Sequence, residues 1–406
     1  MYFTPLLPFN VDGRIDSVLL EMAEEVCLKS AALGAAYPPQ VVNGIKSLLR
    51  TVNSYYSNKI ESEGTHPFDI EKASRKIFSD DAKLQQLQKL SLVHIEVQEW
   101  IEELLQGGDQ TTPFSKEFIS DVHRKFYSPP DMEPFLNIDT VPDSTNSQNN
   151  TTIKMIPGSF RERTVYVGNH AAPEYTDIPT LFNIYESSYK IPTHSTQAIK
   201  LIYALSSHHR LTWIHPFLDG NGRTSRLVLD GILAGIQLSG YGLWNISRGL
   251  ARDSGDYKKY LAIADHVRQG DLDGRGALSL KGLKIYVKFM LEAALDQVSF
   301  MSDNLQLHTL SQRMENYVKF SQQKMYQTAP LPKYSEFLLK ELLIRGEMPR
   351  GGVAKVIHAS DRTASTLIKN LLEMDFLESD TPKGAIRLKF NAHFASEIFP
   401  DLISHQ

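Results

Sequence analysis

The chain has 406 residues, with 42% apolar and 22% charged residues and a formal net charge of −4. At roughly 150 residues per domain that length suggests two or three domains, and the composition excludes both a disordered chain and a global basic field for holding nucleic acid or an anionic membrane. A single cysteine, Cys27, excludes an intrachain disulfide framework and a four-cysteine zinc site.

Apolar residues recur at three- and four-residue spacing over 15–33, 83–105, 195–211 and 280–305, so a mainly α fold is expected. Gly107-Gly108, Pro129-Pro130 and Pro157-Gly158 punctuate these runs. Residues 143–152 contain no apolar side chain and read as a mobile surface loop. The stretch 164–170 is β-branched and aromatic and turns at Gly168-Asn169, which predicts a short hairpin. Toward the end, 333–344 reads as a helix, Gly351-Gly352 opens a second, and Ser360-Asp361 caps a third through Glu373. Two strands, 376–379 and 385–390, follow around a turn at 381–384. Three short helices and a hairpin resemble a winged helix-turn-helix (α+β). The start lacks the basic and apolar regions of a secretory signal, and the longest uncharged stretch, 231–247, is too short to span a bilayer. A cytoplasmic protein without membrane contact is expected.

One stretch carries chemistry: Ile214-His215-Pro216-Phe217-Leu218-Asp219-Gly220-Asn221-Gly222-Arg223-Thr224-Ser225-Arg226. Gly-Asn-Gly is a tight turn, and the helical residues after it place that turn on a helix N-terminus, where unpaired amides and the dipole favour an anion. Arg223 and Arg226 share a helix face, so two guanidinium forks can hold one polyphosphate. Asp219 is a hard oxygen ligand placed to share Mg²⁺ with phosphate oxygens. His215 takes a proton near neutral pH. Together these parts describe phosphoryl or nucleotidyl transfer. A metal hydrolase built on His208, His209 and His215 is disfavoured, because adjacent helical histidines cannot both face one metal.

The stretch resembles the Fic family signature, His-Pro-Phe-x-(Asp/Glu)-Gly-Asn-Gly-Arg-x-x-Arg, at every defining position. The likeness extends over roughly residues 46–289, with His208 before the loop and Ser247-Arg248 and Asp256-Tyr257 beyond it. It implies a Fic-type helical core with a small β-hairpin flap. It further implies AMP transfer from ATP to a Tyr, Ser or Thr hydroxyl of a target protein. On that resemblance His215 is the general base and Asp219 binds Mg²⁺ between the α- and β-phosphates. Asn221 contacts the α-phosphate, amides around Gly220 and Gly222 form the anion hole, Arg223 holds the β-phosphate and Arg226 the γ-phosphate. In the Doc toxin Lys replaces the glycine matching Gly222 and phosphate is transferred instead, so Gly222 favours AMP. Tyr257 is expected near the nucleobase. Strict choice of ATP over other nucleotides is not implied.

A second likeness lies at Ser57-Asn58-Lys59-Ile60-Glu61-Ser62-Glu63-Gly64. It resembles the family's inhibitory sequence (Ser/Thr)-x-x-x-Glu-(Gly/Asn), with Ser57 and Glu61 in place and Ser62 departing from Gly or Asn. Glu63 is the rival glutamate, in a register that puts Lys59 where Ser or Thr belongs. The likeness implies that Glu61 pairs with Arg226 and removes it from the γ-phosphate, an inhibition supplied by the same chain. In some members this glutamate also supports removal of AMP. Residues 163–177 match the flap that binds a target backbone as an added strand.

The organisation read from these signals is an N-terminal helical region with the inhibitory motif (1–110), a catalytic core (111–300), a helical connector (301–330) and the winged helix (331–406). Lys333–Gln406 holds ten Lys or Arg and ten Asp or Glu, so it is neutral. Protein docking or homodimerisation is therefore placed ahead of DNA binding, although Arg362, Lys369, Lys383, Arg387 and Lys389 cluster on the third helix and wing. The alternative reading is a winged-helix transcription regulator whose Fic-like domain senses nucleotide. The complete set His215, Asp219 and Arg226 argues against it, since a sensor has no need of a base.

Overall fold

A computed structural model describes residues 14–106, 112–140, 151–167, 170–191 and 194–403. In chain order the N-terminal helices are α1 (Ser17–Ala32), α2 (Pro39–Ile60), α3 (Pro67–Ser74), α4 (Ala82–Gln106) and α5 (Lys116–Tyr127). Two small hairpins follow, β1 (Asn137–Thr140) with β2 (Thr151–Lys154), and β3 (Tyr166–Val167) with β4 (His170–Ala171). Next come α6 (Ile178–Tyr189), α7 (Gln197–Ile214), α8 (Asn221–Gly235), α9 (Ile246–Arg252), α10 (Ser254–Ala264), α11 (Leu280–Asn304) and α12 (Leu307–Gln322). The C-terminal part holds α13 (Ser335–Arg345), β5 (Glu347–Met348), α14 (Val353–Val356), α15 (Asp361–Glu373), β6 (Leu377–Glu378), β7 (Ile386–Leu388) and α16 (Ala392–Ile398). The chain is mainly helical, and no helix among the described residues is long and apolar enough to cross a membrane.

Side-chain caps start many of these helices. Asp16, Ser115, Thr196, Ser279, Ser360 and Asn391 each accept a backbone N–H from the first turn that follows, satisfying one of the amides a helix leaves open. The centre is the antiparallel pair α7 and α8. Buried side chains run along α7 on all sides, from Ala198 to Ile214, as expected of a helix enclosed by others. Helices α1 and α11 pack against α7, and α4 and α5 pack against α8. Helix α2 lies against α4 and α9 and reaches α8 with its last turns.

The C-terminal sheet is antiparallel with order β5-β7-β6. Two strands are expected from the sequence; the third, Glu347–Met348, is too short to leave a periodic signal and joins the free edge of β7. This unit rests on α2 and α3. The Phe390 ring lies against Gly44 of α2, Tyr56 donates to the Leu402 carbonyl (3.2 Å), and Arg75 pairs with Asp375 (2.6 Å). Residues 143–150 and the Gly107-Gly108 and Gly168-Asn169 turns lie outside the described residues. Thr151 and Thr152, expected in a loop, instead pair in register with Thr140 and Asp139, so a hairpin stands where only a loop is expected.

A polar chain ties α2, α4 and α8 together. Asp230 on α8 accepts from Asn53 Nδ2 (2.7 Å), Asn53 donates to Gln98 Oε1 (2.9 Å), and Gln98 donates to Glu102 Oε1 (3.0 Å). Arg50 and the Tyr241 hydroxyl complete Glu102. Burial pushes the Asp230 carboxyl up to about 7, with Glu102 adding to the rise and the Asn53 hydrogen bond and Arg226 opposing it. An unfolded Asp releases its proton near 3.9. Between these values the folded protein keeps a proton that the unfolded chain has lost, so stability falls as pH rises through the window and levels off above it. Wild type should lose up to about 3 kcal/mol relative to Asp230→Asn between pH 5 and pH 8. Urea midpoints of both proteins check this; parallel pH profiles would contradict it.

Candidate functional site

The loop between α7 and α8 is built by local closure. His215 ends α7 in the left-handed region (φ 50°, ψ 61°), with its N–H on the Leu211 carbonyl. Gly220 precedes α8 at φ 75°, where a side chain would collide with the Tyr127 hydroxyl. Asn221 spans the loop, accepting the Phe217 N–H and donating to the Phe217 carbonyl, both at 2.9 Å. One Nδ2 hydrogen of Asn221 remains for a ligand. The first turn of α8 leaves its amides open at this end.

Three residues that lie far off in sequence brace the loop. His123 on α5 accepts the Gly158 N–H at Nδ1 (2.8 Å), so its Nε2–H donates to the Asp219 carbonyl (3.2 Å). Its ring stacks on Phe217 at 3.8 Å, and burial pushes it down to about 4, so it is neutral at ordinary pH. Arg161 donates from Nε to the His215 carbonyl (2.8 Å), while its N–H reaches Pro216. Tyr127, one turn beyond His123, sits beneath Gly220 and accepts from Arg223 Nη1 (2.9 Å).

Both motif arginines are buried, and both meet the end of α2. Arg226 donates from Nε to Ser57 Oγ (2.9 Å) and from Nη2 to the Ser57 carbonyl (3.0 Å) and Glu61 Oε1 (2.7 Å). Arg223 donates from Nε to Asn58 Oδ1 (3.1 Å) and from Nη2 to Glu63. Both carboxylates thus take part, including the one the motif register argues against. Burial lowers Arg223 to about 10, still protonated at neutral pH, whereas for Arg226 burial acts downward but Glu61 and Tyr257 together, by charge and hydrogen bond, overcome it and raise it. Burial raises Glu61, but Arg226 and Arg223 together overcome it, so its carboxyl titrates below the usual range.

The aim of the two glutamates comes from how α2 ends. Ser62 N–H bonds the Lys59 carbonyl (3.0 Å) and Glu63 N–H bonds the Asn58 carbonyl (2.9 Å), the paired bonds of a Schellman turn. That turn needs a left-handed residue after the C-cap, and Ser62 fills the place at φ 63°. This accounts physically for the Gly or Asn of the inhibitory sequence. Glu61 and Glu63 flank Ser62 and diverge to the two arginines. Gly222 lies so close to Glu61 that any added Cβ would strike its carboxylate.

A cavity of about 1450 Å³ opens in front. The structure brings His215, Asp219, Gly220, Asn221, Gly222, Arg223, Arg226 and Tyr257 to its wall together with Glu61 and Glu63. Ser57 lies behind it, fully buried. Tyr257 is 3% exposed with its hydroxyl on His208 Nε2 (2.9 Å), so it also braces the helix beneath Arg226. Burial raises the Asp219 carboxyl, its Gly220 amide bond lowers it, and nearby Glu61 raises it further. No group of three or more His, Cys, Asp or Glu among the described residues is set to hold a metal. One carboxylate facing an anion cradle nevertheless suits Mg²⁺, which takes few protein ligands beside substrate phosphates.

Replacing Ser62 by Gly removes the cost of a left-handed Ser, about 1 kcal/mol, without touching either glutamate. The Ser62→Gly protein should unfold at higher urea concentration; an unchanged or lower midpoint would contradict the turn assignment.

Residues 139–233 match the Fic/DOC family. The protein adenylyltransferase Fic of Drosophila ananassae and that of Drosophila melanogaster are each 42% identical over 76 residues, which is 19% of this chain and 15% of theirs. The chain thus matches only a small part of those relatives' length. The crystal structure of a Fic domain containing signaling protein from Bacteroides thetaiotaomicron superposes with a TM-score of 0.50 at 14% identity. It covers 70% of this chain and 95% of that one, a likeness of fold alone. The matched segment holds α7, the closed loop and the arginine-bearing turns of α8, so the part of the chain that is similar to the Fic/DOC family is the part that builds this site.

Proposed function

We propose that the protein is an autoinhibited protein adenylyltransferase that moves AMP from ATP to a Tyr, Ser or Thr hydroxyl of another protein. The observation that carries this reading is the shared cavity, where His215, the open amides of α8 and both arginines converge and Glu61 already occupies Arg226. The names of the Drosophila relatives support the choice of an adenylyl donor.

In this reading His215 takes the proton of the target hydroxyl. The freed oxygen attacks the α-phosphorus, the bond from that phosphorus to the β-phosphate bridging oxygen breaks, and pyrophosphate leaves. The open amides of the first turn of α8, Gly222 among them, with the free Asn221 N–H, stabilise the charge that grows on the α-phosphate oxygens. Arg223 and Arg226 hold the β- and γ-phosphates, keeping oxygen, phosphorus and leaving group in line. Asp219 would hold Mg²⁺, which when bound neutralises charge on the leaving phosphates. His123 and Arg161, bonded to backbone carbonyls of the loop, fix where His215 and Asp219 point.

The target docks along 163–177, where Val165 and Tyr166 edge the cavity and Tyr166 is 71% exposed. The C-terminal unit, read as a winged helix, serves protein docking rather than DNA. Arg387 is engaged by Glu378 and Asp380, Lys389 by Asp375 and Lys369 by Glu373, so most of its basic cluster is already neutralised within the unit. Removal of AMP by the same site is a second activity this reading accommodates.

The test is intact mass after incubation with ATP and Mg²⁺. Glu61→Gly should gain AMP-sized adducts at least about tenfold faster than wild type, equivalent to ~1.4 kcal/mol of barrier. His215→Ala should gain none while still binding ATP. An adduct rate in Glu61→Gly no higher than in wild type would overturn the inhibitory role of Glu61, and transfer by His215→Ala would overturn the role of His215.

A further inference from the structure

We propose that Glu63 is a second and separate element of the inhibition, standing in for the β-phosphate on Arg223 as Glu61 stands in for the γ-phosphate on Arg226. The inference rests on the transfer reading above and extends its regulation. Three features carry it. First, the carboxylates belong to one turn: Glu61 is the C-cap of α2, Glu63 lies two residues on, and left-handed Ser62 between them sends each to a different guanidinium. Second, the arginines are buried at 5% and 2% exposure, whereas Glu63 and Glu61 keep 34% and 35% of their side chains open, so an entering anion can reach and displace them. Two glutamates balance their two positive charges, and an entering polyphosphate must replace both. Third, Arg223 does not depend on Glu63 for its position, since Asn58 Oδ1 and the Tyr127 hydroxyl also hold it. Removing the Glu63 charge therefore leaves the fork in place and free to take an anion.

The two contacts then govern different properties. Glu61 sits beside Gly222 and on the γ-phosphate position, so it controls how the nucleotide lies. Glu63 faces the β-phosphate position, so it controls how tightly any nucleotide with that phosphate binds. ADP, which has a β- but no γ-phosphate, separates them, and AMP is the control that needs neither arginine.

Calorimetric titration of ADP and AMP with Mg²⁺ into wild type, Glu63→Gln, Glu61→Gly and the double variant reads this directly. Gln keeps the shape and hydrogen-bonding capacity of Glu63 while removing its charge. Glu63→Gln should bind ADP about tenfold more tightly than wild type, with AMP affinity unchanged. Glu61→Gly should have the smaller effect on ADP, and the double variant should transfer AMP faster than Glu61→Gly at low ATP. ADP affinity in Glu63→Gln within twofold of wild type overturns the second contact, even where Glu61→Gly forms AMP adducts and the transfer reading stands. Tighter ADP binding in Glu63→Gln without AMP adducts in any variant sustains the contact and overturns transfer. No ADP binding in any of the four proteins overturns both.

Discussion

Two guanidinium groups buried side by side at the start of one helix are the constraint on which the rest of this structure depends. A buried charge left without a partner is destabilising, so Arg223 and Arg226, buried side by side, favour whatever anions can meet them. In the structure the last turn of α2 supplies them, through Glu61 and Glu63, with Ser57, Asn58 and Tyr127 completing the hydrogen bonds. On the proposed reading the same need makes the site receptive to a polyphosphate, and inhibition and substrate binding are two solutions to one electrostatic problem.

The arrangement is stiff where it must be and borrowed from several parts of the chain. Asn221 closes the loop on Phe217, His123 and Arg161 hold its carbonyls, and Tyr127 fills the space that Gly220 leaves. Helix α2 is clamped from both sides. Its inner face meets α4 and α8 through the Asn53, Gln98 and Asp230 chain, and its outer face carries the C-terminal unit through Gly44 and Tyr56. The turn that carries Glu61 and Glu63 is thus the end of a helix wedged between α4, α8 and the C-terminal sheet, so anything that loosens α2 is felt at Arg223 and Arg226.

What was legible in the sequence was what lies contiguous in it. Residues 215–226 carry their chemistry in an unbroken order, and the helices around them keep a clear apolar period. The short C-terminal helices were readable from Ser360 and Gly351-Gly352. The braces were not: His123, Arg161 and Tyr127 act across about 50 to 100 residues, and nothing in their neighbours marks them. Ser62 shows the opposite failing. Its residue type departs from the inhibitory pattern, yet it takes the left-handed backbone that Gly or Asn favours at that place. Residue spacing sets Glu63 against Glu61 as rivals, whereas the Schellman turn aims both. The hairpin at Asn137–Thr140 and Thr151–Lys154 was hidden by the polar stretch between its strands.

The most direct test is the pose of ATP in crystals soaked with ATP and Mg²⁺, determined for wild type and for Glu61→Gly. In wild type Glu61 should remain on Arg226, with the γ-phosphate displaced from it and the α-phosphate turned away from His215. In Glu61→Gly the γ-phosphate should sit on Arg226 and the α-phosphate should face His215. A γ-phosphate bound to Arg226 in the same pose in both proteins, with Glu61 still in place, would contradict the account.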